Sequence, residues 1–222
     1  MTHSQPQGFL AIPTAGTGPG VLVLHAWWGL NDTIKALCNR LAEAGFVAFA
    51  PDLYHGKVAA TIAEAEVLSK ALDANFLQAR AEVVEATRFL NERAGSADRG
   101  LAAIGFSLGA SYALDISNTA PESIRAVVVF YGTWVEDLSH SHAAYLGHFA
   151  EHDPFEERAS VDRLEEYLRR IGRPATFYHY PGTEHWFFEP DRPEYNQAAA
   201  NLALERTLTF LQEIGSNHAT QH

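Results

Sequence analysis

A serine can attack a carbonyl only where its oxygen is exposed and a base lies within reach. One stretch of the chain provides for the first condition. Residues Leu101–Ala110 read LAAIGFSLGA: an apolar strand candidate, then Gly-Phe-Ser-Leu-Gly, then the start of a helix candidate. In this Gly-x-Ser-x-Gly elbow Ser107 is expected in a strained, positive-φ turn that lifts its oxygen above the sheet. Gly105 and Gly109 leave space for that turn, and the backbone N–H of Leu108, at the helix start, points where an oxyanion would form. The competing reading is a tight strand–helix turn around an ordinary serine; the strand before it and the helix after it weigh against that.

On such an elbow the acid and the histidine follow the serine in chain order. Six histidines do so within the folded body: His140, His142, His148, His152, His179 and His185. His185 lies in HYPGTEHWF, just beyond the last strand candidate, where an imidazole can reach back over the sheet. His179 falls inside that strand and reads as packed or surface-facing. His140 and His142 have a metal-like spacing but no accompanying ligand cluster, so no metal site is expected. For the acid, Asp153 in EHDPF follows the strand candidate YLGHFA at the same sheet edge, where it would fix the His185 tautomer. Glu136 and Asp137, after the preceding strand, compete for that role. Asp153 could also cap a helix before Pro154–Phe155, and one side chain can do both.

These residues need a scaffold, and the hydrophobic rhythm supplies one. Strand candidates fall at Gly20–His25, Phe46–Ala50, Leu101–Phe106, Ala126–Tyr131, Tyr145–Ala150 and Ala175–Tyr180, with one more around Gly8–Ile12. Helix candidates alternate with them at Thr33–Ala44, Ala59–Leu72, Asn75–Arg93, Leu108–Asn118, Glu156–Ile171 and Pro193–Ile214. Runs such as VLVLH and AVVVFY are apolar throughout, as in a parallel sheet covered on both faces. The expected fold class is α/β, a mostly parallel sheet flanked by helices, in one domain over residues 1–222 with its core at 8–214. No stretch has room for a large lid domain.

Bulk properties exclude several functions. The chain has 222 residues, 47% of them hydrophobic, and 16 Lys plus Arg against 27 Asp plus Glu. The resulting charge of −11 repels polyanions, so neither nucleic acid nor an anionic membrane is an expected partner. The single cysteine, Cys38, rules out an intrachain disulfide and reads as a buried thiol in a helix. The N-terminal MTHSQPQGFLAIP lacks a signal-peptide pattern and no run is long enough to span a bilayer, so a cytoplasmic protein is expected, monomeric or a small homo-oligomer.

Five blocks in order, VLVLHAWWGLN, LAEAGFVAFAPDLYHG, AAIGFSLGA, GHFAEHDPF and YPGTEHWFF, resemble the dienelactone hydrolase family over nearly the whole chain. The resemblance implies an α/β-hydrolase fold, doubly wound, with the site at the carboxyl edge of the sheet. It makes Ser107, Asp153 and His185 the triad and adds the Trp27 backbone N–H to that of Leu108 in the oxyanion hole. The bacterial dienelactone-cleaving members have a cysteine at the Ser107 position, a glutamate at that of Ala26 and an arginine soon after the histidine. Here His185 is followed by Trp186, Phe187, Phe188, Glu189 and Pro190, with no positive charge before Arg192. A serine nucleophile and a neutral or aromatic ester or lactone are therefore expected, without a cofactor.

All four tryptophans, Trp27, Trp28, Trp134 and Trp186, follow strand candidates at the presumed catalytic edge, as do Tyr54 and Tyr131. Such clustering suggests an aromatic pocket, to which Trp28, Tyr54, Trp134, Trp186 and His25 are expected to contribute. For Trp28 a loop-bracing role competes, and for His25 a structural hydrogen bond. The alternatives for the whole chain are another acyl hydrolase on the same residues (thioesterase, peptidase or perhydrolase) and a binding protein that keeps the fold without the chemistry.

Overall fold

The computed structural model describes residues 5–94, 100–134 and 136–216. Residues 1–4, part of the stretch searched for a signal pattern, lie outside them. Seven strands form one sheet: β1 (Gly8–Ala11), β2 (Gly20–Leu24), β3 (Val47–Pro51), β4 (Leu101–Phe106), β5 (Ile124–Phe130), β6 (Ala144–His152) and β7 (Ala175–Glu184). Their order is β1-β3-β2-β4-β5-β6-β7, with β1 antiparallel to β3 and every other pairing parallel. Six helices cover the faces: α1 (Asp32–Glu43), α2 (Ile62–Ala74), α3 (Phe76–Arg93), α4 (Leu108–Thr119), α5 (Arg158–Arg170) and α6 (Gln197–Ser216). None is long and apolar enough to cross a membrane.

The continuously apolar strands are explained by two cores. On β2, Val21 and Val23 join one cluster with Leu37 and Leu41 of α1 and Ala203 and Leu204 of α6. The alternate residues Leu22 and Leu24 join the other, with Val83 and Leu90 of α3, Ala113 of α4 and Leu164 of α5. Side chains alternate across a strand, so a sheet buried on both faces has no polar position to spare. Cys38 belongs to the first core, where burial pushes its thiol pKa up to about 12.

Chain order reverses direction between β2 and β4: the chain leaves β2 toward β3 on one side, whereas β4 and its successors extend the sheet on the other. Crevices for ligands form outside the carboxyl ends of strands at such a switch. Ser107 stands directly after β4 at this point. Gly105 and Gly109 allow the close approach that follows. A Cβ on Gly109 would lie 2.2 Å from the Leu24 carbonyl oxygen and 2.6 Å from that of His25, and one on Gly105 would lie 2.3 Å from the Gly109 oxygen. All three obstacles are backbone atoms, which cannot rotate away. Gly109→Ala is therefore expected to destabilise the fold by about 3 kcal/mol or more, read by urea unfolding. A loss within about 0.5 kcal/mol would show that the elbow tolerates expansion.

The expected elements are all present, with several ends shifted; those of β7 and α6 shift furthest. β7 does not stop at Tyr180 but continues through Pro181-Gly182 to Glu184, with a register irregularity opposite Ala150–His152. A Pro-Gly pair reads as a turn in sequence. Here the Gly182 N–H donates to Glu151 Oε2 at 2.8 Å, holding the irregular segment against β6. α6 begins at Gln197 rather than Pro193, because residues 189–195 make successive turns and Asn196 accepts the Ala199 N–H through its side chain.

Candidate active site

Five loops meet at the carboxyl edge of the sheet. β4 ends in Ser107, whose φ of 49° and ψ of −112° are the strained geometry expected of the elbow. β6 ends at His152 and β7 at Glu184, which are register partners, so Asp153 and His185 are carried on adjacent strand ends. The result is a hydrogen-bonded chain. Ser107 Oγ lies 3.0 Å from His185 Nε2, and His185 Nδ1 lies 2.8 Å from both carboxylate oxygens of Asp153. The His185 and Asp153 side chains are only 3% and 5% exposed, so water competes little for their contact. Asp153 Oδ1 also accepts the N–H groups of Phe155 and Glu156 at 2.9 Å, which fixes the carboxylate whatever the imidazole does. The helix itself starts two residues later than expected, at Arg158, so Asp153 secures the turn before it rather than its first residue.

The competing acids lie elsewhere. Asp137 is held by the Ser139 hydroxyl and backbone N–H and by the Tyr167 hydroxyl, which bring its pKa down to about 2. Glu136 is exposed and lines a neighbouring cavity with Asp137. His140 and His142 are exposed beside Asp137 and Glu122 respectively. Among the described residues no group of three or more potential ligands could hold a metal ion.

Ser107 opens onto a cavity of about 200 Å³ shared with Trp27, Leu108, Trp134, His185 and Trp186. Leu108 is the first residue of α4, so its N–H has no preceding helical carbonyl to bind. Two of the expected pocket tryptophans, Trp134 and Trp186, therefore face the serine, and Trp27 joins them. His25, Trp28 and Tyr54 do not. His25 is fully buried, its Nε2 accepting the Leu53 N–H at 3.3 Å and its Nδ1 2.8 Å from the Ala26 carbonyl; burial lowers its pKa. Trp28 turns inward, edge-on to Trp186 at 5.1 Å, with the Arg192 guanidinium 4.0 Å above its ring. Tyr54 packs on His25 at 4.9 Å and belongs to the core and to a separate cavity behind it. In each case the loop direction after the strand, which sequence does not reveal, turns the ring into the protein.

Two bracing groups, Glu156 and Glu189, have no counterpart among the sequence expectations, and Tyr131, expected at this edge, links one of them to His185. Glu156 accepts both the N–H of Thr133 at 2.9 Å and its hydroxyl at 2.7 Å, tying the loop after β5 to the loop that carries Asp153. Tyr131, with a φ of 39°, lays its ring 4.7 Å from that of His185 and donates its hydroxyl to Glu189 at 2.7 Å. Glu189 is 1% exposed, and burial raises its pKa from 4.5 to about 8. These pairs are 23 and 58 residues apart, and no local pattern announces them.

The Glu189 shift makes a prediction about stability. Its folded pKa lies above its unfolded value, so the folded state holds the proton more tightly. The contribution is fully present below pH 4.5 and is lost as pH rises to about 8. Glu189→Gln is expected to remove this decline, which amounts to a few kcal/mol. Urea unfolding of both proteins across that window checks it, and parallel curves would contradict it.

The dienelactone hydrolase family pattern matches residues 7–215, and the chain belongs to that family. It is thus a hydrolase of the ester or lactone type. It is 31% identical to Protein usf of Aquifex pyrophilus over 216 residues, covering 93% of each chain. It is 30% identical to a provisionally assigned 2-oxo-3-(5-oxofuran-2-ylidene)propanoate lactonase of a Bradyrhizobium species, covering 92% of this chain and 88% of that one. Among solved structures, a provisionally assigned dienelactone hydrolase from Klebsiella pneumoniae superposes with a TM-score of 0.76 at 25% identity, covering 87% and 86% of the two chains. The dienelactone hydrolase-like promiscuous phosphotriesterase P91, from metagenomic libraries, superposes at 0.79 with 22% identity over 90% and 87%, which speaks for the fold.

Proposed function

We propose that this chain is a serine hydrolase that cleaves small esters or lactones bearing no carboxylate through an acyl-enzyme on Ser107. The observation that carries the reading is the unbroken Ser107–His185–Asp153 hydrogen-bond chain, with one end at a cavity and the other fixed by two backbone N–H groups. In the first step His185 Nε2 takes the Ser107 proton as Oγ attacks the carbonyl, and Asp153 stabilises the imidazolium. The N–H groups of Trp27 and Leu108 hold the oxyanion. The tetrahedral intermediate collapses with cleavage of the ester C–O bond, and His185 returns the proton to the leaving oxygen. A water molecule, deprotonated by His185, then releases the acid and restores the serine.

The cavity lining argues against a carboxylate on the substrate. Arg192, the first base after His185, is engaged by Asp191 at 2.9 Å and by the Trp28 ring, outside the Ser107 cavity. No arginine or lysine lines that cavity among the described residues, so a substrate carboxylate would find no partner. Neutral aryl acetates are expected to be hydrolysed at least about tenfold faster, in kcat/KM, than a carboxylate-bearing dienelactone. Comparable values would refute the charge preference, and no hydrolysis of any ester or lactone would refute the activity.

A further inference from the structure

The Ser107 cavity shares part of its wall with a neighbour. Leu108, Ser111 and Trp134 also line a second, more apolar cavity of about 430 Å³, completed by Asp73, Phe76 and Tyr112. Its aromatic walls are in mutual contact: the Phe76 ring lies 5.7 Å from Tyr112 and 6.4 Å, edge-on, from Trp134. Trp134 is 57% exposed, unusual for a ring braced only as core. Tyr112 is 2% exposed, yet its hydroxyl has no hydrogen-bond partner, and the same holds for the buried hydroxyl of Tyr54. The carboxylate of Asp73 acts electrostatically on both phenols.

The charge of this region is one-sided. A smaller adjoining cavity, also walled by Phe76, Ser111 and Trp134, brings in Asp115, Glu136 and Asp137. Its one base among the described residues, Arg80, is spent on Asp115 at 2.7 Å. Three aromatic rings with an exposed carboxylate, Asp73, in the same lining and no available positive charge among the described residues form the kind of surface that binds an organic cation: the rings attract it by their quadrupoles and the carboxylate by its charge.

We propose that the aromatic cavity beside Leu108 is a specificity subsite for a substituted-ammonium group carried by the substrate. This rests on the serine-hydrolase reading and narrows its substrate class to esters with a cationic arm extending past Trp134. The attacked carbonyl sits over Ser107, and the arm lies against Phe76, Tyr112 and Trp134 with its positive end toward Asp73. Carbon in place of nitrogen preserves the arm's shape but removes the attraction, which gives a matched probe.

Binding of phenyltrimethylammonium to the intact protein, followed by calorimetry, tests the subsite without requiring turnover. Binding is expected to weaken by about tenfold in Trp134→Ala and in Asp73→Asn. It should also weaken in the unaltered protein as salt rises, a readout that survives if a variant fails to fold. Turnover then links subsite to substrate. Acetylcholine should exceed its carbon isostere, 3,3-dimethylbutyl acetate, by about tenfold in kcat/KM, or the aryl ester of 4-(trimethylammonio)butanoate should exceed that of 5,5-dimethylhexanoate by as much. Absence of phenyltrimethylammonium binding, binding indifferent to salt and to both substitutions, or cation-to-isostere ratios of one or less on both arms would overturn the proposal. Neutral esters hydrolysed without cation preference would sink the subsite alone; cation binding without hydrolysis of any ester would sink the activity instead.

Discussion

Ser107→Ala is expected to lower ester turnover by roughly 10⁵- to 10⁶-fold, the largest effect of any single substitution in the chain. In the proposed mechanism the hydroxyl oxygen forms the bond to the acyl carbon, and alanine leaves the His185 base with nothing to activate. The loss should fall on kcat, since the cavity walls are untouched. Stability should change by only about 1 kcal/mol, because the Ser107 side chain makes one hydrogen bond, to His185, and alanine inherits the same positive-φ backbone. Steady-state kinetics and urea unfolding on the same preparation separate the two effects. Turnover within tenfold of the unaltered enzyme would assign the nucleophile elsewhere.

Asp153→Asn is expected to cost about 10⁴-fold in kcat. The asparagine oxygen can still accept the N–H groups of Phe155 and Glu156, so the turn should hold its shape. What changes is the partner of His185 Nδ1. A neutral amide neither stabilises the imidazolium nor enforces the tautomer with the proton on Nδ1, and the ring can present N–H instead of a lone pair to Ser107. Asp137→Asn serves as the control and should alter kcat by less than about twofold, since its carboxylate is bound by Ser139 and Tyr167. If the two variants exchanged effects, the acid would have been misassigned.

Much of this arrangement could be read from the chain before any coordinates, for identifiable reasons. Parallel strands covered on both faces are apolar nearly throughout, so β2, β4 and, after Arg125, β5 stand out as short continuous runs. The elbow is a local motif, requiring small residues where the Leu24 and His25 carbonyls come close to Gly109. Asp153 and His185 each follow a strand directly, so a parallel sheet carries them to one edge.

The unread portion depends on long-range packing. His25, Trp28 and Tyr54 also follow strands, but their rings turn inward because Leu53, Arg192 and His25 await them there. The Tyr131–Glu189 and Thr133–Glu156 contacts join loops that only the fold brings together. The start of α2, expected at Ala59, is set later by a local signal. Thr61 and Glu64 form a capping box that starts α2 at Ile62, and the T-x-x-E spacing states it. The continuation of β7 through Pro181-Gly182 shows the reverse, a local turn signal overridden by pairing with β6 and by the Glu151 carboxylate.

The central claim is that Ser107, activated by His185, forms a covalent acyl-enzyme. Reaction with a fluorophosphonate probe followed by peptide mass spectrometry tests it most directly, because the probe attaches to an activated serine irrespective of the natural substrate. The account predicts one adduct per chain, on the peptide containing Ser107, absent in Ser107→Ala and strongly slowed in Asp153→Asn. An adduct on another residue, or none from about pH 6 to 9, would contradict it.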